Sequence, residues 1–138
     1  MLERIKNWAS GETRRARVLI AEDDAEMRKL LAHVVRAEGH EVIEAPDGRR
    51  LLAYLQSAMM SDGAGLPDLI VSDIRMPGYS GLDVLMAVRE ASLDVPVVLI
   101  TAFGDPQTHN EAFELGAAVL DKPFSLDDFR RTVQALVT

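Results

Sequence analysis

Acidic, hydroxyl and basic residues stand at the ends of four short apolar runs in this chain. Glu22 and Asp23 follow the first run, Asp73 ends the second, Thr101 ends the third and Lys122 follows the fourth. Three carboxylates that lie together repel one another, and one pKa rises unless a cation neutralises them. A hard divalent ion such as Mg²⁺ takes oxygen ligands and keeps several of its waters. If the fold brings these residues together, they predict a Mg²⁺ site.

The same residues suit the chemistry of a dianionic phosphoryl group. Asp73 is the candidate nucleophile, and it would form an acyl phosphate. The metal and Lys122 would neutralise the phosphoryl oxygens, while Thr101 would donate a hydrogen bond. Burying a carboxylate at the end of a strand costs free energy unless it has a partner. The metal and the phosphoryl group would supply that partner.

Each residue taken alone has a simpler structural explanation. The acidic pair could cap a helix, and Asp73 could cap the turn that follows it. Thr101 is an ordinary strand residue, and Lys122 could pair with Asp121 or lie in solvent. Their common position at the ends of four runs favours the functional interpretation.

The elements that would position these residues alternate between strand and helix. Runs rich in Val, Ile and Leu predict buried parallel strands at residues 17–24, 68–74, 95–102 and 116–124, with a weaker one at 41–45. Amphipathic spacing predicts five helices, which begin near Asp24, Asp47, Ser80, Asp105 and Ser125. This alternation indicates an α/β protein with helices on both faces of a parallel sheet, whose carboxyl ends share one edge.

Residues 1–16 stand outside this alternation, and we treat residues 17–138 as the domain. Leu2, Ile5, Trp8 and Ala9 could give the extension a short amphipathic helix. A charged leader is more often a frayed or locally docked extension than a signalling element. Packing of Trp8 on the domain, or on a second copy, would change that view.

Three further predictions concern residues away from the strand ends. Residues 57–67 are predicted to form the most mobile connection. The methionines are predicted to serve packing rather than an interaction surface at Met59, Met60 and Met86. The histidines are predicted to lie at the surface or at helix ends, with no metal cluster, at His33, His40 and His109.

Composition excludes several classes of protein. The 138 residues suffice for one domain, and the absence of cysteine excludes disulfides and thiolate metal sites. A net charge of −7 argues against direct nucleic-acid binding. The apolar runs are too short to span a bilayer and no signal-peptide core is visible, so we expect a cytoplasmic protein without a membrane partner.

The segments VLIAEDD, LIVSDIRMPGYSGLDVL, PVVLITAFGD and GAAVLDKPF resemble the receiver domain of bacterial two-component response regulators. The resemblance runs from about Arg17 to the C-terminus. It implies a flavodoxin-like, doubly wound fold with a five-stranded parallel sheet in the order 2-1-3-4-5.

The resemblance also implies roles for the metal-binding residues. Asp73 matches the phosphoacceptor and would itself contact Mg²⁺. Asp23 matches a direct Mg²⁺ ligand, and Glu22 matches a ligand that acts through water. Arg75, two residues past the phosphoacceptor, would give its backbone carbonyl to the metal.

The phosphate-contacting residues follow in the same way. Thr101 matches the switch hydroxyl, and Lys122 matches the phosphate-binding lysine. The resemblance implies a cis peptide at Lys122–Pro123. Three residues before the lysine the family usually has Tyr or Phe, whereas this chain has Val119. We therefore expect a different partner face or a smaller conformational change on phosphorylation.

The partners implied by the resemblance are proteins. A sensor histidine kinase, a phosphotransfer protein or a small acyl phosphate would supply the phosphoryl group. The output would be a downstream protein target or an effector domain absent from this chain, and a homodimer through the last helices is a further option. The domain would catalyse its own phosphorylation and dephosphorylation without turning over an external substrate.

Three other functions remain to be weighed against this one. A nucleotide- or flavin-binding domain would need a glycine-rich loop after the first strand, and the loop here begins EDDAEM. An aspartyl phosphohydrolase commonly has a second acid two residues after the nucleophile, where this chain has Arg75. A receiver-like module that acts by protein contact without phosphorylation is the more serious alternative.

Overall fold

The computed structural model describes residues 15–102 and 106–137. The strands are β1 (Arg17–Ala21), β2 (Glu41–Ala45), β3 (Leu69–Asp73), β4 (Val97–Thr101) and β5 (Ala118–Asp121). The helices are α1 (Ala25–Ala37), α2 (Gly48–Met60), α3 (Gly81–Glu90), α4 (Pro106–Glu114) and α5 (Leu126–Val137). The helix predicted within residues 1–16 falls almost wholly outside the described residues and stays a prediction.

The five strands form one parallel sheet in the order β2-β1-β3-β4-β5. This is the order that the sequence resemblance implied. The central strands β3 and β4 are buried along their whole length, as expected for a parallel sheet with both faces covered. The carboxyl ends of the strands meet at one edge.

Alternation along the strands divides the apolar core into two layers. Val18 and Ile20 of β1 face a cluster that includes residues of α1 and α5, whereas Leu19 and Ala21 face a cluster with residues of α2, α3 and α4. The period of two in strands produces this division. Phe129 of α5 is fully buried in the first cluster.

Polar caps begin α1, α2, α3 and α5 where the sequence predicted them, and the predicted start of α4 at Asp105 lies outside the described residues. Asp24 caps α1 by accepting bonds from two backbone N–H groups, and Asp47 caps α2. Ser80 and Asp83 form a capping box at the start of α3. The Ser125 hydroxyl accepts a bond from the Asp128 N–H at the start of α5. None of the helices among residues 15–102 and 106–137 combines the length and apolarity needed to cross a bilayer.

Two predictions about the second helix and the methionines were wrong. Helix α2 continues to Met60, so the first part of the predicted loop 57–67 is helical. Met59 is 43% exposed, Met60 80% and Met86 48%, so these side chains contribute little to the core. Their positions on the outer faces of α2 and α3 explain the exposure, since a helix buries only the stripe that faces the sheet.

The prediction for His40 was only partly right. The residue follows the end of α1, but it is buried rather than at the surface. Its Nδ1 accepts a hydrogen bond from the backbone N–H of Ala16, at 3.0 Å. The imidazole therefore joins the end of α1 to the chain that enters β1.

Candidate functional site

The sheet topology brings the predicted site residues to one edge. Asp73 and Thr101 are the last residues of the neighbouring strands β3 and β4. The acidic pair follows β1 and the lysine follows β5. Carboxylate oxygens of Glu22, Asp23 and Asp73 all lie within 4.8 Å of one another. Sequence reasoning therefore predicted this convergence correctly.

Asp73 is buried but has one basic partner and one backbone hydrogen-bond donor. Its side chain is 8% exposed, and its Oδ2 accepts a bond from Lys122 Nζ at 3.3 Å. Its Oδ1 accepts a bond from the backbone N–H of Arg75 at 3.2 Å. Lys122 thus binds Asp73 across 49 residues of sequence. Asp121, the alternative partner, contacts His109 Nε2 at 3.0 Å.

Glu22 is buried at the same edge and has an incomplete set of partners. Its Oε1 accepts a bond from the backbone N–H of Asp24 at 3.1 Å. Its Oε2 is buried and has no hydrogen-bond partner among the described residues. Burial first, and the neighbouring Asp73 carboxyl next, raise the pKa of Glu22 from 4.5 to about 8.

The acidic pair does not serve as the helix cap that its position after β1 might indicate. Asp24 caps α1, with its Oδ1 at 3.0 Å from the backbone N of Glu26 and 3.3 Å from that of Met27. The exposed Asp23 is therefore left available to a ligand that approaches from solvent.

The donor set fits a hard divalent cation. All three side chains offer oxygen, and one buried oxygen of Glu22 has no protein partner. An unpaired buried acceptor is costly, and a cation would remove both that cost and the repulsion between carboxylates. The residues therefore could hold a metal ion of the kind that prefers oxygen ligands.

Thr101 and Lys122 are joined through the backbone. Thr101 is buried, and its carbonyl accepts a bond from the Lys122 N–H at 2.7 Å. Lys122–Pro123 is a cis peptide, as the resemblance implied. Displacement of the Thr101 backbone would consequently reach the chain that carries the lysine.

Two glycines that sequence reasoning missed hold the loop between β3 and α3. A Cβ atom on Gly81 would lie 2.6 Å from the carbonyl oxygen of Asp73 and 2.9 Å from the Cα of Ile74. A Cβ atom on Gly48 would lie 2.6 Å from the carbonyl oxygen of Tyr79. Glycine at the first position of two helices was the available signal, because it is a poor helix former whose absent Cβ allows close backbone approach.

Arg28 is a further supporting residue that the sequence did not single out. Its Nη1 donates to the backbone carbonyl of Glu22 at 2.8 Å, and its Nε lies 3.5 Å from Glu44 Oε1. The arginine therefore fixes the backbone at the acidic pair. Its place on an amphipathic helix gave no signal, since basic residues on such helices are usually solvated.

Val119 occupies the position where the resembling family usually has an aromatic residue. Its side chain is half-buried and packs against the apolar cluster on the α2, α3 and α4 face. In the sheet it is paired with Leu99. The described structure thus places an aliphatic side chain at this point of β5.

Comparison with known sequences identifies one protein family. Residues 18–134 match the family described as the response regulator receiver domain. The transcriptional regulatory protein PdtaR of Mycobacterium tuberculosis is 36% identical over 124 residues, which are 88% of this chain and 57% of that protein. The probable transcriptional regulator ycf27 of Galdieria sulphuraria is 33% identical over 125 residues, 90% of this chain and 46% of that protein. The chain spans about half the length of these curated relatives.

Solved structures show the same fold. The chemotaxis protein CheY4 of Vibrio cholerae has a TM-score of 0.77 at 31% identity, over 89% of this chain and 99% of that one. The receiver domain of the Francisella response regulator 1452 has a TM-score of 0.79 at 26% identity, over 89% of this chain and 97% of that one. With the strand order and the family match over residues 18–134, these likenesses show that the chain belongs to the response regulator receiver domain family of two-component systems.

Proposed function

We propose that this domain receives a phosphoryl group on Asp73 in a Mg²⁺-dependent reaction and thereby switches a protein-interaction surface. The observation that carries the proposal is the convergence of Lys122 and two further carboxylates on a buried aspartate. That arrangement combines a nucleophile, a cation for the phosphoryl oxygens and a set of oxygen ligands for a metal.

The proposed reaction transfers a phosphoryl group from a phosphorylated donor to Asp73. A carboxylate oxygen of Asp73 attacks the phosphorus of a phosphohistidine or a small acyl phosphate. A new P–O bond forms as the bond from phosphorus to the leaving group breaks, and the bonding pair departs with the imidazole or the acylate. Bound Mg²⁺ would supply positive charge close to the phosphoryl oxygens.

The protein's own groups have distinct tasks in this scheme. Lys122, already 3.3 Å from the Asp73 carboxylate, moves to pair with a phosphoryl oxygen. Thr101 donates its hydroxyl to another oxygen. Glu22, Asp23, Asp73 and the Arg75 carbonyl would hold the metal. No external substrate is turned over, because the phosphoryl group remains on the protein until water removes it.

The proposed partners follow from the reaction. A sensor histidine kinase or a phosphotransfer protein donates the phosphoryl group, in the cytoplasm. The output is a downstream protein or an effector domain joined to the receiver. Relatives named as transcriptional regulators are about twice the length of this chain, so they contain additional sequence beyond the part aligned here.

Intact-mass spectrometry tests the proposal. The chain is incubated with acetyl phosphate in Mg²⁺ or in EDTA, beside Asp73→Asn and the control Asp94→Asn, which changes an exposed aspartate at the opposite edge of the sheet. We expect one phosphoryl group to be gained in Mg²⁺ by the wild type and the control. Neither the EDTA sample nor Asp73→Asn should gain it.

The opposite result has a defined meaning. If folded protein gains no phosphoryl group from acetyl phosphate or from a phosphorylated histidine kinase, the proposal is wrong. The remaining interpretation would be a receiver that acts by protein contact alone. A gain that persists in Asp73→Asn would place the phosphoacceptor at another residue.

A further inference from the structure

An apolar groove runs along the seam between α2 and α3. It lies at the end of the sheet opposite to Asp73. Its wider part is a cavity of about 300 Å³ at the amino ends of β3 and β4, lined by Leu55, Leu66, Pro67, Leu93, Val95 and Pro96. A second cavity of about 140 Å³ shares Leu55 and Leu93 and extends the groove to Met59 and Ala91. The groove therefore reaches the exposed methionine that the core does not use.

The wall of this groove is rigidly held. Arg89 donates from Nη1 to the carbonyl oxygens of Leu93, at 3.0 Å, and Val95, at 2.7 Å. Its Nε donates to the carbonyl oxygen of Leu115 at 2.8 Å. These bonds engage the guanidinium and fix the segment between α3 and β4. A ligand of the groove would thus meet a surface that is already formed.

We propose that residues 2–9 of this chain dock in the groove, with the Trp8 side chain in the wider cavity. The chain enters the described region beside it. Arg17 donates its N–H to Asp68 Oδ2 at 2.8 Å and accepts the Asp68 N–H at 2.7 Å, and Asp68 lines the cavity. Trp8 lies seven positions before Arg15, and an extended chain covers about 23 Å in seven steps.

The chemistry of the segment matches that of the groove. Leu2, Ile5, Trp8 and Ala9 recur at helical spacing and would present one apolar stripe. Arg4 and Lys6 lie between them against one acidic residue, Glu3, so the segment keeps a positive charge. Two carboxylates line the wider cavity, those of Asp68 and the exposed Asp94. An apolar stripe flanked by basic residues is complementary to an apolar groove flanked by acidic ones.

Tryptophan fluorescence tests this docking directly, because Trp8 is the only tryptophan in the chain. We expect the full chain to emit at shorter wavelength than a peptide of residues 1–14, and to be quenched several-fold less by acrylamide. Met59→Lys places a charge in the groove and should restore the emission and quenching of the peptide. Met86→Lys is the matched control, since Met86 is similarly exposed but does not line the groove.

A charge reversal provides a second test. Asp94→Lys should increase quenching of Trp8, whereas Glu114→Lys, on α4, should leave it unchanged.

Equal quenching of the full chain and the peptide would overturn the proposal, and so would protection that survives both Met59→Lys and Asp94→Lys. Protection that disappears on dilution together with a dimer mass would assign the groove to a second copy and would likewise contradict docking within one chain. Phosphorylation of Asp73 is measured separately, so its failure would not affect this result.

Discussion

At the scale of the residue, Glu22 couples the stability of the domain to pH. Its pKa is raised from 4.5 to about 8 by burial first and by Asp73 next. Between these two values the unfolded chain is ionised at Glu22 while the folded chain keeps the proton. Folding therefore takes up a proton, and the stability of the metal-free domain falls as pH rises through this window.

Glu22→Gln should remove this penalty. We expect the metal-free variant to gain on the order of 2 kcal/mol in free energy of unfolding at pH 7, and nothing near pH 4. Urea unfolding in EDTA between pH 4 and 8 measures the difference, with the exposed Glu26→Gln as control. Added Mg²⁺ should stabilise the wild type more than Glu22→Gln. A pH dependence identical in wild type and Glu22→Gln would contradict the argument.

His40 gives the opposite dependence on pH. Burial lowers its pKa, against the smaller opposing influence of Glu38 and Asp68. Its Nδ1 accepts the Ala16 N–H, and its buried Nε2 has no hydrogen-bond partner among the described residues. The unfolded imidazole gains a proton near pH 6.5, while the folded one stays neutral to lower pH. Stability contributed by His40 is therefore complete above pH 6.5 and is lost as pH falls towards the lowered pKa.

His40→Asn tests this dependence, because the amide oxygen can still accept the Ala16 N–H. We expect the variant to lose about 1 kcal/mol in free energy of unfolding at pH 7.5, because asparagine packs less well there and its hydrogen bond has poorer geometry. Between pH 6.5 and 5 its stability should fall less than that of the wild type. Thermal unfolding across that range measures the effect, and His33→Asn on the exposed face of α1 should follow the wild type. Parallel curves for wild type and His40→Asn would refute the assigned role.

At the scale of the element, the loop between β3 and α3 is the part of the site that backbone packing controls most closely. Gly81→Ala would push a methyl group against the backbone of Asp73 and Ile74. Displacement of the loop should move the Arg75 carbonyl, so we expect roughly tenfold slower phosphorylation by acetyl phosphate and a stability loss of about 1–3 kcal/mol. Gly39→Ala is the control, because Gly39 has φ of 91° but no atom within 4 Å of the added Cβ. It should destabilise without slowing phosphorylation of the folded protein, and equal slowing in both variants would contradict the specific role of Gly81.

Elements with a strong local pattern were predictable from sequence, and the contacts between them were not. The strand ends at Asp73 and Thr101 and the caps at Asp24 and Ser80 follow from local periodicity and capping chemistry. The burial of His40 depends on Ala16, 24 residues away, and the close approach of Gly48 to Tyr79 joins separate elements. Such contacts arise only when helices pack on the sheet, so no local pattern contains them.

At the scale of the whole molecule, β5 and α4 connect the site to the outer surface. The Thr101 carbonyl accepts the Lys122 N–H, and Asp121 on β5 contacts His109 on α4 at 3.0 Å. Val119, packed in the apolar cluster, has no ring that could exchange an inner for an outer position. Movement of Thr101 would therefore reach α4 through the backbone of β5 and the His109–Asp121 pair.

This route predicts a limited response to phosphorylation. Amide chemical shifts are measured with and without acetyl phosphate in Mg²⁺. The changes should be largest around Asp73, Thr101 and Lys122, and they should be small at Val119. His109→Gln should reduce the remaining changes along α4 without lowering the extent of phosphorylation, because the side chain lies outside the acidic cluster. Gln107→Glu, an exposed change on the same helix, serves as control. Large shifts throughout α4 that are insensitive to His109→Gln would show that the signal crosses the domain by another path, despite the valine in β5.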